Sequence, residues 1–184
     1  MAVRLSYRWM GRMVSLVSEV AMFGLAILTV STSGHMGLRE DTSGQAIRET
    51  LEPQDFRVVR YEVVPDDVDL IAGKLAKWAG APDVNLIITT GGTGMGLRDV
   101  TPEACLSIFD KEVPGLAEAM RAKTLQFTPM AMLSRSVAGI RGNTLIITLP
   151  GSLKAVRECL EVVNPVLAHA LELLRKENVS EHPV

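Results

Sequence analysis

The chain has 184 residues, of which 47% are hydrophobic and 22% charged, with a formal net charge of -2. That size and balance fit one folded domain with a substantial core and exclude a disordered chain. The near-neutral charge leaves no electrostatic footprint for nucleic acid or an anionic membrane surface, so small molecules are the expected partners.

Residues 1–18 carry Arg4, Arg8 and Arg12 without an acid, in the manner of a weak organellar transit peptide. An upstream start or a divergent exon would give the same pattern, so residues 1–22 are read as an amino-terminal extension of open status. The rest of the chain is expected to be cytoplasmic, with organellar targeting left open. The apolar run over residues 13–30 is interrupted by Glu19 and passes into a β-like stretch after Gly24, which favours a soluble reading over a membrane span.

The domain is expected over residues 23–176. Residues 25–30 (LAILTV) are short, apolar on both faces and β-branched, as a strand buried in a parallel sheet should be. A polar loop follows, ending in Asp41, Thr42 and Ser43, which can cap a helix in QAIRETL. Residues 57–64 form a second strand, and Pro65, Asp66 and Asp67 open a helix with Val68, Ile71, Leu75 and Trp78 on one face. Residues 84–90 form a third strand. The glycine stretch behind it leads to a helix with Thr101 as cap, Pro102 at its first position and Glu103 near its positive end. Residues 143–149 form a fourth strand, followed by Pro150, Gly151 and Ser152. A long helix then carries Val156, Leu160, Val163 and Leu167 as a stripe, with Pro165 expected to kink or break it. The pattern resumes toward Leu174, and residues 177–184 read as a loose polar tail. Strands alternating with helices predict an α/β fold, a mainly parallel sheet with helices on both faces and ligands at the carboxyl ends of its strands.

Chemistry is concentrated at that edge. Gly91, Gly92, Thr93 and Gly94 leave a core strand in a sequence where backbone amides can approach an anion. No Gly-Lys-Ser/Thr follows, and the spacing is not GxGxxG, so both common nucleotide fingerprints fail. Arg98 suits a phosphate, and Asp99 suits a hydrated magnesium ion that prefers carboxylate and phosphate oxygens. Pro150, Gly151 and Ser152 form a second turn into a helix amino end, another anion site unless Ser152 is only a cap. Asp66 follows a strand and is either a helix cap or, beside Asp99, half of a two-carboxylate magnesium site. MLSRSVAGIRGNT, with Ser134, Arg135, Ser136, Arg141 and Gly142, offers anion-binding groups but in isolation reads as a surface hairpin. Cys105 and Cys159 lie in helical patterns and outside any metal spacing, so both read as buried small hydrophobes. His35, His169 and His182 are too scattered for a metal site.

LIITTGGTGMGLRDVTPEA, TPMAMLSRSVAGIRGNTLIITLPGS and VVPDD together resemble the molybdenum-cofactor biosynthesis family that includes MogA and MoaB, and within it the G domains of plant Cnx and of gephyrin. The resemblance implies a homotrimeric α/β molybdopterin adenylyltransferase using ATP and Mg2+, with a molybdate-inserting domain or protein as a further partner. It places the family's functional aspartates on Asp66 and Asp99, both metal-binding, and its serine on Ser134. Ser31, Gly91, Gly92, Thr93, Gly94, Arg98, Arg135, Pro150, Gly151 and Ser152 fall at its substrate-binding positions. Two departures stand out: Ser31 and Thr32 replace the family's Ser-Asp, and Gly96 and Leu97 replace a proline-containing loop ahead of Arg98. A non-catalytic trimeric binding module of the same fold is the alternative function.

Overall fold

The computed structural model describes residues 22–177, so the expectations for residues 1–21 and 178–184 lie outside the described residues. Strand β1 (Phe23–Val30) is buried along its whole length and is followed by the short helix α1 (Thr32–His35), inside the segment expected to be loop. Helix α2 (Thr42–Leu51) starts three residues before QAIRETL, with Asp41 as its cap accepting from the Gly44 amide. Next come β2 (Phe56–Val64), α3 (Val68–Ala79), β3 (Leu86–Thr90) and α4 (Thr101–Leu106). The chain continues through β4 (Lys111–Glu112), α5 (Pro114–Thr124), a 3-10 turn (Pro129–Leu133), β5 (Ala138–Arg141), β6 (Thr144–Leu149) and α6 (Leu153–Glu177).

The six strands form one sheet in the order β2-β1-β3-β6-β5-β4. The first four are parallel, and β5 and β4 close the far edge antiparallel. Register explains why the central strands are apolar throughout. Leu25, Leu86 and Leu145 sit side by side, as do Ile27, Ile88 and Ile147, and both rows face a core built with α2, α5 and α6. The alternate row of Ala26, Ile87 and Ile146 faces a second core with α3 and α4. A strand covered on both faces has no solvent side on which to place polar residues.

Near their carboxyl ends the same strands change to threonine. Thr29 Oγ1 donates to Asp41, Thr90 Oγ1 to the Pro150 carbonyl and Thr148 Oγ1 to the Val137 carbonyl. These hydroxyls fasten the loops that emerge at that edge.

Several local expectations are corrected. Val68 is half-exposed, so the buried face of α3 consists of Ile71, Leu75 and Trp78. Helix α6 runs unbroken through Pro165 to Glu177. The proline is on the exposed side, where the carbonyl deprived of its amide partner can be hydrated, while Val156, Leu160, Val163, Leu167 and Leu171 stay buried. The β5-β6 hairpin is present, turned at Gly142 with φ +53, but Arg141 donates to the Ile108 carbonyl and Gly142 to Asp110. Those groups stabilise the edge of the sheet. No helix among the described residues is long and apolar enough to cross a membrane.

Candidate functional site

Two cavities open at the carboxyl edge of the parallel strands. The first, of about 530 Å³, is lined by Thr93, Gly94, Asp99, Ser134, Pro150 and Glu158 together with apolar Met95, Met120, Met130 and Leu133. The second, of about 640 Å³, is lined by Ser31, Thr32, Asp41, Asp66, Gly91 and Arg98. Gly92, Gly151 and Ser152 line both and form the wall between them.

That wall is made of two strand-to-helix turns in close contact. Gly91 and Gly92 have φ of +96 and +62. A Cβ at Gly91 would lie 2.2 Å from the Val30 carbonyl oxygen, and one at Gly151 would lie 3.2 Å from the Gly91 Cα. Only glycines let the two turns approach this closely. Thr101 is not the helix cap: it occupies the first turn of α4, fully buried, and its hydroxyl donates to the Gly91 carbonyl at 2.8 Å while its amide donates to the Gly92 carbonyl. Ser43 Oγ donates to the Gly151 carbonyl at 2.9 Å, tying α2 to the other turn. Ser152 caps α6 weakly, accepting from the Ala155 amide at 3.3 Å, so the free amides and positive end of a 25-residue helix face this edge.

Gly94 and Gly96 serve a different purpose. Asp99 folds back so that its Oδ2 accepts from the Gly96 amide at 2.7 Å, and a Cβ at either glycine would come within 2.9 Å of that oxygen. The glycines make room for the carboxylate. Arg98, its neighbour, is exposed, lines the second cavity and has no ion pair or hydrogen bond among the described residues. Consecutive residues thus present a cation to one cavity and a carboxylate to the other.

Asp66 is not the cap of α3; Asp67 is, accepting from the Leu70 amide at 2.8 Å. Asp66 Oδ2 instead accepts from the Thr32 amide at 2.9 Å and the Thr32 hydroxyl at 2.6 Å. An aspartate at position 32 would set two carboxylates against each other, whereas threonine supplies a donor. Ser31 caps α1 through its hydroxyl, accepting from the Gly34 amide. Ser134 Oγ donates to Ser136 Oγ at 3.0 Å on the wall of the first cavity. Arg135, also expected at the ligand, turns its guanidinium onto the Gly94 and Asp99 carbonyls and the Glu103 carboxylate.

Asp66 and Asp99 therefore line different cavities, and no group of three or more His, Cys, Asp or Glu among the described residues forms a metal cluster. The structure therefore offers one carboxylate in each cavity in place of the two-carboxylate pair expected from the sequence, and an ion held there would have to take most of its ligands from water and phosphate.

Several contributors escape a reading of the sequence. Asp41 accepts from Thr29 and from the Tyr61 hydroxyl, and burial followed by this bond pushes the Tyr61 phenol up. Arg121, Thr124, Thr128 and Glu158 complete the first cavity. Pro114 at the start of α5 and Thr128 before Pro129 are the local signals that point to these elements.

Cys159 lies on the first cavity, but burial pushes its thiol up to about 12, as it does that of Cys105. A raised thiol pKa leaves little thiolate at about pH 8. The native protein is expected to react negligibly with a chromogenic thiol reagent at that pH, and both cysteines to react once it is unfolded in denaturant. Rapid native reaction of Cys159 would contradict its burial.

Comparison with known proteins identifies the family to which this sequence and fold belong. Residues 26–169 match the family described as "probable molybdopterin binding domain". The chain is 43% identical over 155 residues to molybdopterin adenylyltransferase of Helicobacter pylori strain J99, covering 82% of this chain and 86% of that protein. It is 41% identical over 157 residues to the Drosophila melanogaster molybdenum cofactor synthesis protein cinnamon, covering 85% of this chain and 26% of that longer protein. A solved structure of the molybdopterin biosynthesis enzyme MoaB from Thermus thermophilus superposes with a TM-score of 0.79 at 55% identity, covering 83% of this chain and 96% of that one. With matched sequence running from β1 into α6 and with both glycine turns in place, the chain belongs to the molybdopterin-binding domain family of molybdenum cofactor biosynthesis, which includes MogA and MoaB.

Proposed function

We propose that the protein is a molybdopterin adenylyltransferase. The observation that carries this reading is the shared wall: two cavities at one sheet edge meet at Gly92, Gly151 and Ser152, with Asp99 on one side and Asp66 and Arg98 on the other. Two phosphate-bearing molecules held in the two cavities would bring their phosphates together at that wall. The first cavity, with apolar Met95, Met120 and Leu133 beside Ser134, suits the pterin, and the second suits the nucleotide.

In the reaction the terminal phosphate oxygen of molybdopterin attacks the α-phosphorus of ATP. A new P–O–P link forms, the bond to the bridging oxygen of the β-phosphate breaks, and pyrophosphate leaves. The chain's task is placement and charge stabilisation. The amides of Gly92, Thr93 and the first turn of α6 hold phosphate oxygens, Arg98 balances the triphosphate, and Ser134 holds the pterin. Asp99 from the first cavity and Asp66 from the second would each offer one carboxylate to Mg2+, which when bound would supply charge neutralisation between phosphates. A homotrimer in the cytoplasm, working with a molybdate-inserting domain or protein, completes the reading, as the resemblance in the sequence implies.

The test is to incubate the protein with molybdopterin, ATP and Mg2+ and to follow pyrophosphate and the adenylylated pterin. Both are expected in equal amounts. Binding of both substrates without product would overturn the enzyme reading in favour of a non-catalytic module. The Thr32 bond on Asp66, which occupies an oxygen of one proposed metal ligand, is the observation on that side.

A further inference from the structure

The guanidinium of Arg135 makes all its polar contacts with one short stretch of chain. Its Nε donates to the Gly94 carbonyl at 2.6 Å, Nη2 donates to the Asp99 carbonyl, and Nη1 donates to the Glu103 carboxylate. The Arg135 amide adds a bond to the Thr93 carbonyl at 2.9 Å. Gly94 and Asp99 are the two ends of the loop that carries the carboxylate of the first cavity. One planar fork therefore grips that loop at both ends and also holds the helix behind it.

Apart from Val100 at its end, which packs against the core with α3 and α4, the loop has little apolar anchorage. Met95 and Leu97 at the crest of the loop are 73% and 102% exposed, so burial contributes little to holding it. Its internal bonds, Gly96 amide to Asp99 Oδ2 and Asp99 amide to Gly96 carbonyl, close a small turn but do not fix that turn to the domain. The segment bearing Arg135 is itself anchored: Arg121 Nη1 donates to the Ser136 carbonyl at 2.8 Å and, more weakly, to the Ser134 carbonyl at 3.4 Å. A continuous set of bonds thus runs from α5 through Ser134 and Ser136 to Arg135, and from there to the backbone of Asp99. The guanidinium also holds the Glu103 carboxyl below its ordinary range.

We propose that Arg135 is a positioning residue for Asp99, a brace that sets where this carboxylate stands in the first cavity, and is not a ligand of either substrate. This rests on the reading of Asp99 as a group of the adenylyl-transfer site. Arginine is required because three acceptors in different directions are met by a planar fork, which a single ammonium cannot match.

The variant Arg135→Lys separates the possibilities. Loosening the carboxylate by a fraction of an ångström is expected to lower kcat about 30-fold or more, with KM for ATP and for molybdopterin changed less than about 3-fold. In the substrate-free protein, hydrogen exchange at the Gly96 and Asp99 amides is expected to rise about 10-fold while the β3 amides, which report the fold, stay unchanged. A KM raised about 10-fold with kcat preserved would make Arg135 a substrate ligand and overturn the proposal. Unchanged exchange at Gly96 and Asp99 would also overturn it. If Arg135→Lys fails to fold, Glu103→Gln, which weakens one of the three anchors, is expected to shift both readouts in the same direction by about 3-fold, and no shift counts against the brace. A wild-type protein that makes no product sinks the adenylyltransferase reading, and the exchange measurement then decides the brace alone.

Discussion

Asp99→Asn is expected to abolish most turnover and to leave the fold intact. Asparagine keeps an oxygen that can accept from the Gly96 amide, the bond of 2.7 Å that holds the loop turn, and it fits the space left by Gly94 and Gly96. What it loses is the negative charge in the first cavity. A fixed charge at a phosphoryl- or nucleotidyl-transfer site contributes on the order of 100- to 1000-fold in rate, about 3 to 4 kcal/mol. The expected result is kcat lowered about 100-fold or more with a melting temperature within about 2 °C of the wild type. Steady-state kinetics and a melting curve on the same preparation check both halves. Wild-type kcat would remove Asp99 from the site, and a collapsed melting temperature would make its role structural.

Gly91→Ala has the opposite character, a large loss of stability that brings the site down with it. The backbone there has φ +96, and the added methyl would lie 2.2 Å from the Val30 carbonyl oxygen, which is backbone and cannot rotate away. Positive φ costs an L-residue about 1 to 2 kcal/mol, and forcing apart a packed contact costs about 1 to 3 more. A loss of about 3 kcal/mol is expected, seen as a lower denaturation midpoint with an unchanged slope in urea. The Gly91 turn would also be pushed off the end of β1, so turnover should fall even in the fraction that stays folded. Gly73 is the control. It sits in α3 with no atom within 4 Å of where an added methyl would stand, so Gly73→Ala is expected to stabilise by about 0.5 to 1 kcal/mol. If Gly91→Ala behaved like Gly73→Ala, the close approach of Gly91 to the Val30 carbonyl would be refuted.

The local features of the chain are legible without coordinates, and for definite reasons. Strands 25–30 and 84–90 are apolar on both faces because they are covered on both faces, so composition alone carries the signal. Asp41 and Ser152 cap the helices expected of them, since a cap bonds to an amide only three residues away. The glycine turns are visible because the positive φ at Gly91 and Gly92 strongly favours glycine. Helix α5 gives no comparable signal because its buried positions are only Ala117, Met120 and Thr124, too few large apolar residues to make a clear stripe.

The roles of the polar residues cannot be read in the same way. Thr101 has the sequence of a cap and the position of a buried tie to Gly91, ten residues back. Asp66 and Thr32 are 34 residues apart, and Arg135 and Asp99 are 36 apart. Thr32 and Asp66 meet because β1 and β2 pair in parallel and end together, and Asp99 and Arg135 meet because β3 ends and β5 begins on either side of the carboxyl end of β6. By itself the sequence determined the alternation of strand and helix, the sheet edge at which the candidate site lies and the glycines that shape it. These follow from periodicity, capping and backbone sterics, which act over a few residues. The tertiary structure alone decided that there are two cavities with one wall, that Asp66 and Asp99 stand in different ones, and that Arg135 faces the protein. Whether a polar group meets a ligand or another part of its own chain depends on what long-range packing brings within hydrogen-bonding distance.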